Sequence, residues 1–388
     1  MNSRRDFLKK SALATTGTML IPNFLKAFEA NQMGLSQGTP DRILVIIQLS
    51  GGNDGLNTIV PYRNDIYYRE RPSLAIPKEK VLRINDEIGF NPALSALNDI
   101  YDDGLLTIVN NVGYPNPDRS HFRSMDIWHT ASDADKYVNT GWIGRYLDAN
   151  CPTNCTEPYN AIEVDDMLSL AMKGNKIKGL AVKNPEKLYK QAHNSYFEQL
   201  STSQSFTNNS SLDEHENVSY LYKTLAETLS SADYIYNKWN GSKIYKTNLT
   251  YPASEIGKRL KTVAELILTG INTNVYYVSI SGFDTHINQL EQQNRLLQAY
   301  CEAVSVFTQD MKENNRIDDV MVMTFSEFGR RVKQNASNGT DHGTANNLFL
   351  INGRLKKSKV FNEAPNLTDL DEGDLKYTID FRNIYATL

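Results

Sequence analysis

Short, continuously apolar runs alternate along the chain with stretches of helical period. Arg42-Ile-Leu-Val-Ile-Ile-Gln-Leu49 is apolar at almost every position and ends in Ser50-Gly-Gly-Asn-Asp-Gly55. Such a run, closed by glycines, predicts a strand buried on both faces that opens into a loop. Leu105 to Asn110, Asn274 to Ser281, Asp319 to Phe325 and Asn347 to Asn352 repeat the pattern. Pro92 to Tyr101 has amphipathic helical spacing. Ile287 to Asn314 keeps that period throughout, without Pro or Gly. Strands alternating with helices predict an α/β fold with a mostly parallel central sheet and helices on both faces.

The middle of the chain reads differently. Ser195 to Asn217 is rich in Ser, Asn, Thr and Gln and predicts a loop. Helical patterns follow at Val218 to Trp239 and Glu255 to Thr269. The expected organisation is one α/β domain over 42–388 with a polar and helical insertion at about 185–270. A polar linker, 31–41, precedes it.

Residues 1–30 read as an address. Met1-Asn-Ser-Arg-Arg-Asp-Phe-Leu-Lys-Lys10 is followed by the mildly apolar stretch Ser11 to Pro22. Paired arginines ahead of a short, weak apolar region form a twin-arginine export signal. The expected partner is therefore the twin-arginine export machinery, and the expected destination is the periplasm, the cell surface or the medium. In that oxidising setting Cys151 and Cys155, in C-P-T-N-C, form a disulfide or remain two free thiols. Cys301 falls in a helical pattern and is expected to be buried.

Composition narrows the function classes. The 388 residues are 40% hydrophobic and 22% charged, which excludes wholesale disorder. Three cysteines cannot staple a chain of this length. No apolar run of about 18 residues appears, so no transmembrane domain is expected. A net charge of -4 gives no basic footprint for nucleic acid. The segment 1–30 carries five basic and two acidic residues, so the remainder has a charge of -7.

In open α/β sheets ligands collect beyond the carboxyl ends of the strands. After the first apolar run comes Asp54, and after the second Asn116-Pro-Asp-Arg-Ser-His-Phe122 opens a helix. The third leads into Ser281-Gly-Phe-Asp-Thr-His286, and the fourth into Ser326-Glu-Phe-Gly-Arg330. Gly339-Thr-Asp-His-Gly343 lies before the fifth. Half of the chain's six histidines thus stand beside strand ends, most of them with carboxylates. Imidazole with carboxylate suits Zn²⁺, Mn²⁺ or Fe, whereas an all-oxygen shell suits Ca²⁺ or Mg²⁺. Taken singly, Ser120 reads as an N-cap and Asp54 as a turn residue. Taken together at strand ends, they read as a site. Gly51-Gly-Asn-Asp-Gly55 fits neither G-x-G-x-x-G nor the P-loop, so nucleotide binding gains nothing from it.

At these residues a family resemblance appears. S-G-G-N-D-G-L-N-T-I-V-P-Y, R-S-H-F-R-S-M-D-I-W-H-T, G-F-D-T-H-I-N-Q, F-S-E-F-G-R-R and G-T-D-H-G-T-A-N-N follow the twin-arginine start in that order. Together they resemble the exported domain-of-unknown-function family 1501, over essentially the whole chain after the signal. More distantly the layout is similar to the alkaline phosphatase and sulfatase superfamily of metal-dependent enzymes. That resemblance implies an alkaline-phosphatase-like sandwich and hydrolysis of a phosphate or sulfate ester, on a small or polymeric anionic substrate. It implies one or two divalent metals, Zn or Mn, with Ca or Mg as alternatives. The implied ligands are Asp54, Asp284, His286, Glu327, Asp341 and His342. Ser120 would be the nucleophile, His121 a ligand or general acid, and Arg330 the group that steadies the anion.

Three departures separate this chain from that superfamily. Asp284 and His286 are two apart where the usual spacing is four. Ser326-Glu327 stands where an Asp-His pair is usual. The Cys/Ser-x-Pro-x-Arg signature that yields formylglycine is absent. The resemblance also implies a closing helix beyond Leu388. The competing expectation is a non-catalytic exported surface protein that binds glycan or a partner on the same fold.

Overall fold

The computed structural model describes residues 42–150, 160–194, 212–241, 247–356 and 358–388. The export segment, the linker and the Cys151–Cys155 pair lie outside the described residues. The main sheet contains β1 (Ile43–Leu49), β2 (Leu106–Gly113), β3 (Ala161–Glu163), β4 (Leu180–Ala181), β5 (Val275–Ile280), β6 (Val320–Phe325), β7 (Asn346–Ile351) and β8 (Lys359–Val360). Its order is β8-β2-β7-β6-β1-β5-β3-β4. Near the C-terminus β9 (Leu370–Asp371) and β10 (Asp374–Leu375) form a hairpin, and β11 (Ile379–Asp380) also pairs with β2. Each of the five long apolar runs forms one of the strands β1, β2, β5, β6 and β7.

All the main-sheet pairings are parallel except the two made by β7, which runs antiparallel to both β2 and β6. The reason is local. A parallel neighbour needs a long crossover, usually a helix. Residues 326–345, between β6 and β7, contain no helix.

The β1 side chains divide by parity, as the pleat requires. Ile43, Val45, Ile47 and Leu49 pack on one face with residues from α1 (Ser95–Asp102), α6 (Glu255–Leu268) and α7 (Gln289–Glu313). Ile46 packs on the other face with Ile127 and Trp128 of α2 (His121–Thr130), Ile143 and Leu147 of α3 (Trp142–Ala149), and Phe381 and Ile384 of α8 (Phe381–Tyr385). Helices therefore cover both faces, and each buried aliphatic side chain contributes about 1.5–3 kcal/mol. Along α7 the buried positions Gln293, Leu297, Tyr300, Val304, Phe307 and Met311 recur at helical spacing. Cys301 on the same helix is buried, and burial pushes its thiol up to about 12. Within 185–270 lie α4 (Pro185–Ala192), α5 (Leu212–Gly241) and α6.

This topology determines where ligands can meet. The carboxyl ends of β1, β2, β5 and β6 share one edge of the sheet, and β7 presents its amino end there. A histidine that precedes β7 thus joins residues that follow the other strands.

Candidate metal centre

His121 is the first residue of α2, Asp284 and His286 follow β5, Glu327 and Arg330 follow β6, and His342 precedes β7. Gly51 and Gly52, after β1, sit beneath them at φ of 119° and 76°. A side chain on Gly51 would collide with the backbone of Phe283 and Asp284. The glycines let these loops approach each other.

Three imidazoles gather around the Asp284 carboxylate. The Nε2 atoms of His286 and His342 lie 3.0 and 3.1 Å from Asp284 Oδ1, and 3.0 Å from each other. His121 Nε2 lies 3.4 Å from Asp284 Oδ2 and is buried with no hydrogen-bond partner. The ring centroids of His121 and His286 are 4.4 and 4.7 Å from that of His342. His121, Asp284 and His342 offer ligand atoms that all lie within 4.8 Å of one another.

The far side of each ring faces an oxygen. His121 Nδ1 is 3.1 Å from Glu327 Oε1, His286 Nδ1 is 3.5 Å from Asp341 Oδ1, and His342 Nδ1 is 2.7 Å from the carbonyl of Arg119. A carbonyl only accepts, so His342 Nδ1 is the donor and, in the neutral ring, Nε2 keeps its lone pair. That lone pair and Asp284 Oδ1 are then two acceptors 3.1 Å apart. They repel unless a proton on His286 or a cation lies between them.

The charges follow the geometry. Burial opposes ionisation of Asp284, but the hydrogen bond and charge of Arg330 lead the opposing effects, and the carboxyl is held at about 2. The Glu327 hydrogen bond raises His121 against partial burial. Burial lowers His342, although its contacts with Asp284 and Arg119 act the other way.

The remaining expected site residues are placed as follows. Glu327 is fully buried, and its Oε1 also accepts the N–H of Gly51 at 2.8 Å. Asp341 is exposed and lies 3.3 Å from Asn335 Nδ2, whose amide also bonds the carbonyl of His286 at 3.0 Å. Ser120 is the exposed N-cap of α2, and its hydroxyl makes no capping bond. Its N–H instead donates to Asp118 Oδ1 at 2.7 Å.

Two residues are held elsewhere. The Arg330 guanidinium has no exposed surface and donates to the carbonyls of Gly51, Gly52, Phe283 and Thr340 and to Asp284. Enclosed in this way, it offers no exposed face to a bound anion, and burial lowers its pKa. Asp54 is closed in by Arg71 at 2.5 Å, by the Gln289 amide and by the N–H of Leu56 at 3.2 Å. A carboxylate already neutralised by a buried guanidinium has no open side for a metal.

Sequence reasoning missed Arg71, Arg119 and Asn335. Arg71 lies in Arg69-Glu-Arg-Pro-Ser, where a charged turn is the plain reading, and Arg119 and Asn335 carry no local signal.

On α2, two turns beyond His121, His129 is buried. Its Nε2 is 3.1 Å from the Tyr277 hydroxyl and 3.3 Å from Gln48 Oε1, and burial lowers it to about 4. It stays neutral beneath the site.

Solved structures offer remote likenesses. The chain is similar to the zinc complex of the C-terminal periplasmic domain of EcEptC from Escherichia coli, at 10% identity and a TM-score of 0.39, covering 82% of this chain and 75% of that one. The lipoteichoic acid synthase LtaP from Listeria monocytogenes is similar at 9% identity and a TM-score of 0.37, with 85% and 72% covered. The PsFucS1 sulfatase from Pseudoalteromonas sp. is similar at 10% identity and a TM-score of 0.37, with 90% and 68% covered. No curated protein matches the sequence. The model of the family described as "Protein of unknown function (DUF1501)" matches residues 41–387, nearly the whole of the chain. The site just described is thus carried by a protein that belongs to the DUF1501 family.

Proposed function

We propose that this protein is an exported, metal-dependent hydrolase of anionic phosphate or sulfate esters, with one divalent metal held by Asp284, His121, His286 and His342. One observation carries the reading: three imidazole Nε2 atoms converge on one carboxylate while each Nδ1 faces an oxygen. Ligands 2.0–2.2 Å from a tetrahedral zinc stand roughly 3.3 Å apart. Here Asp284 Oδ1 and the Nε2 atoms of His286 and His342 stand 3.0–3.1 Å apart, and His121 Nε2 lies 3.4 Å from Asp284 Oδ2. A nitrogen-rich set suits Zn²⁺ or Mn²⁺, whereas Ca²⁺ and Mg²⁺ prefer oxygen. Glu327 and Asp341 then orient imidazoles and are not ligands. Asp54 and Arg330 fasten the loops that carry the site.

A metal held by these residues would supply Lewis-acid polarisation of an ester oxygen. Ser120 is the proposed nucleophile. It is exposed at the start of a ten-residue helix, next to His121, with its hydroxyl free of capping duty. The helix N-terminus favours the alkoxide that must form there. Among the described residues no helix is long and apolar enough to cross a membrane. The twin-arginine segment would carry the folded chain across, and the substrate would be met outside the cytoplasm.

Metal analysis of the folded, exported protein tests the centre. One ion of Zn or Mn per chain is expected. A metal-free protein with undiminished thermal stability would overturn the hydrolase reading in favour of a surface protein that binds glycan or a partner. Ser120→Ala is expected to cut ester hydrolysis by at least about 10³-fold with metal content unchanged. Full activity in that variant would remove Ser120 alone.

A further inference from the structure

The β9–β10 hairpin lies far from the ligands in sequence but grips the segments that carry them. Asp374, on β10, has no exposed side-chain surface and is flanked by two arginines. One is Arg119, whose Nη2 pairs with its Oδ2, and the other is Arg331, whose Nε is 3.3 Å from its Oδ1. The turn between the strands adds further ties. Glu372 lies 3.8 Å from Arg119 Nη2, and its carbonyl accepts from Arg331 Nη2 at 2.9 Å. The carbonyl of Leu375 accepts from Thr344 Oγ1 at 2.5 Å.

Each gripped residue adjoins the site. Arg119 precedes Ser120 and His121, and its carbonyl accepts from His342 Nδ1. Arg331 follows Arg330, and its N–H donates to the carbonyl of Asp341 at 3.1 Å. The two site segments also pair with each other, through Gly329 N–H to the Thr344 carbonyl at 2.8 Å and Gly343 N–H to the Gly329 carbonyl at 2.9 Å. Arg119 is therefore held at both ends, its guanidinium by the hairpin and its carbonyl by His342.

We infer that the β9–β10 hairpin is a clasp on the site and that Asp374 is a positioning residue, which fixes the tautomer of His342 by anchoring Arg119. The chemistry follows from one acceptor. While the Arg119 carbonyl stays in place, the imidazole proton of His342 belongs on Nδ1 and the Nε2 lone pair faces Asp284 and His286. Releasing the Arg119 guanidinium frees the 118–120 segment to drift, and the carbonyl with it. The proton then distributes between the two nitrogens, and in the Nε2–H form the nitrogen that faces Asp284 and His286 has no lone pair for a metal. This inference goes beyond the metal reading, because the tautomer can be read without any metal.

The test compares the full chain with Asp374→Asn in two measurements. In ¹⁵N-histidine-labelled protein treated with chelator, His342, assigned through its loss in His342→Gln, is expected as a single Nδ1–H tautomer. In Asp374→Asn it is expected as a mixture. Titration with Co²⁺ alone is expected to show affinity lowered 10- to 100-fold in Asp374→Asn, as for other residues that orient a metal ligand. Arg119→Gln, at a partly exposed position, should release the tautomer in the same way and serves if Asp374→Asn does not fold. Tyr251→Phe, which removes the buried bond to Asp310, is the control for lost stability alone and should leave the His342 signal unchanged. Retention of the single tautomer in both Asp374→Asn and Arg119→Gln would overturn the inference. Failure of native protein to bind Co²⁺ would instead strike the metal reading and leave the tautomer result standing.

Discussion

Asp54 and Asp284 follow neighbouring parallel strands, β1 and β5, and each is paired with an arginine, yet their surroundings are opposite. Arg71 and Gln289 enclose Asp54 so completely that neither member of the Asp54–Arg71 pair has exposed side-chain surface. Asp284 meets Arg330 on one side and leaves 47% of its side chain exposed on the other, where the imidazoles stand. A carboxylate at a strand end is therefore not a ligand by position. What decides is whether its protein partners leave an edge open. The closed pair joins the loop after β1 to residue 71, with Gln289 tying the same carboxylate to the start of α7, and the open one has an edge free.

The comparison can be broken most severely at Arg71. Arg71→Met leaves Asp54 charged, buried and unpaired, and is expected to cost about 3–5 kcal/mol in denaturant unfolding. A loss under 1 kcal/mol would mean that the pair is not a structural tie.

A third strand-end carboxylate, Glu163 on β3, sharpens the contrast, because it is buried without a close guanidinium. Burial raises it from 4.5 to about 7, and the N–H of Ser169, at 2.6 Å, only partly offsets this. The folded state keeps the proton to higher pH than the unfolded chain does. This contribution to stability is therefore full below 4.5, declines as pH rises towards about 7, and stays low above that. The decline should be on the order of 3 kcal/mol. Glu163→Gln should abolish it, matching the native protein at pH 4 and exceeding its stability at pH 8. Parallel pH profiles for the two proteins would refute the assignment.

Asp284→Asn probes the open member. Metal affinity is expected to fall at least 100-fold, near 2.7 kcal/mol, while the metal-free protein loses less stability than in Arg71→Met, because Arg330 keeps its four carbonyl acceptors. A large loss of fold stability with metal binding intact would reverse the roles given to the two aspartates. The smallest effect is expected at Asp341, which backs His286 from an exposed position. Asp341→Asn should weaken Co²⁺ binding about tenfold, measured by titration. A loss as large as that of Asp284→Asn would make Asp341 a ligand.

Much of this molecule was legible in its sequence, for identifiable reasons. Runs such as Arg42 to Leu49 announce buried strands because both faces must be apolar, and the glycines after them mark where loops converge. His286 and His342 stood out because histidine is scarce here and both lie at strand ends. The direction of β7 was not legible, since an apolar run reads the same both ways. The fate of Asp54 was hidden because Arg71 is a tertiary partner whose own neighbours spell an exposed turn. Arg330 looked available for an anion until the carbonyls of four separate residues were found to occupy it. Asp374 lay in a short acidic stretch with no pattern, and its meaning depends on Arg119, some 250 positions earlier.

The single reversed strand has a further consequence, in the order of assembly. Among the described residues, every strand that pairs with β2 comes late in the chain: β7 at Asn346–Ile351, β8 at Lys359–Val360 and β11 at Ile379–Asp380. A nascent chain shorter than about 345 residues thus holds β2, an apolar strand, with both edges open, which is the condition that invites wrong pairing. Inserting β7 closes one of those edges, joins β2 to the β6–β1–β5 block and delivers His342 in the same movement, while β8 and β11 close the other edge. The proposed metal centre is therefore completed only once β7 is in place, late in the order in which the strands are made.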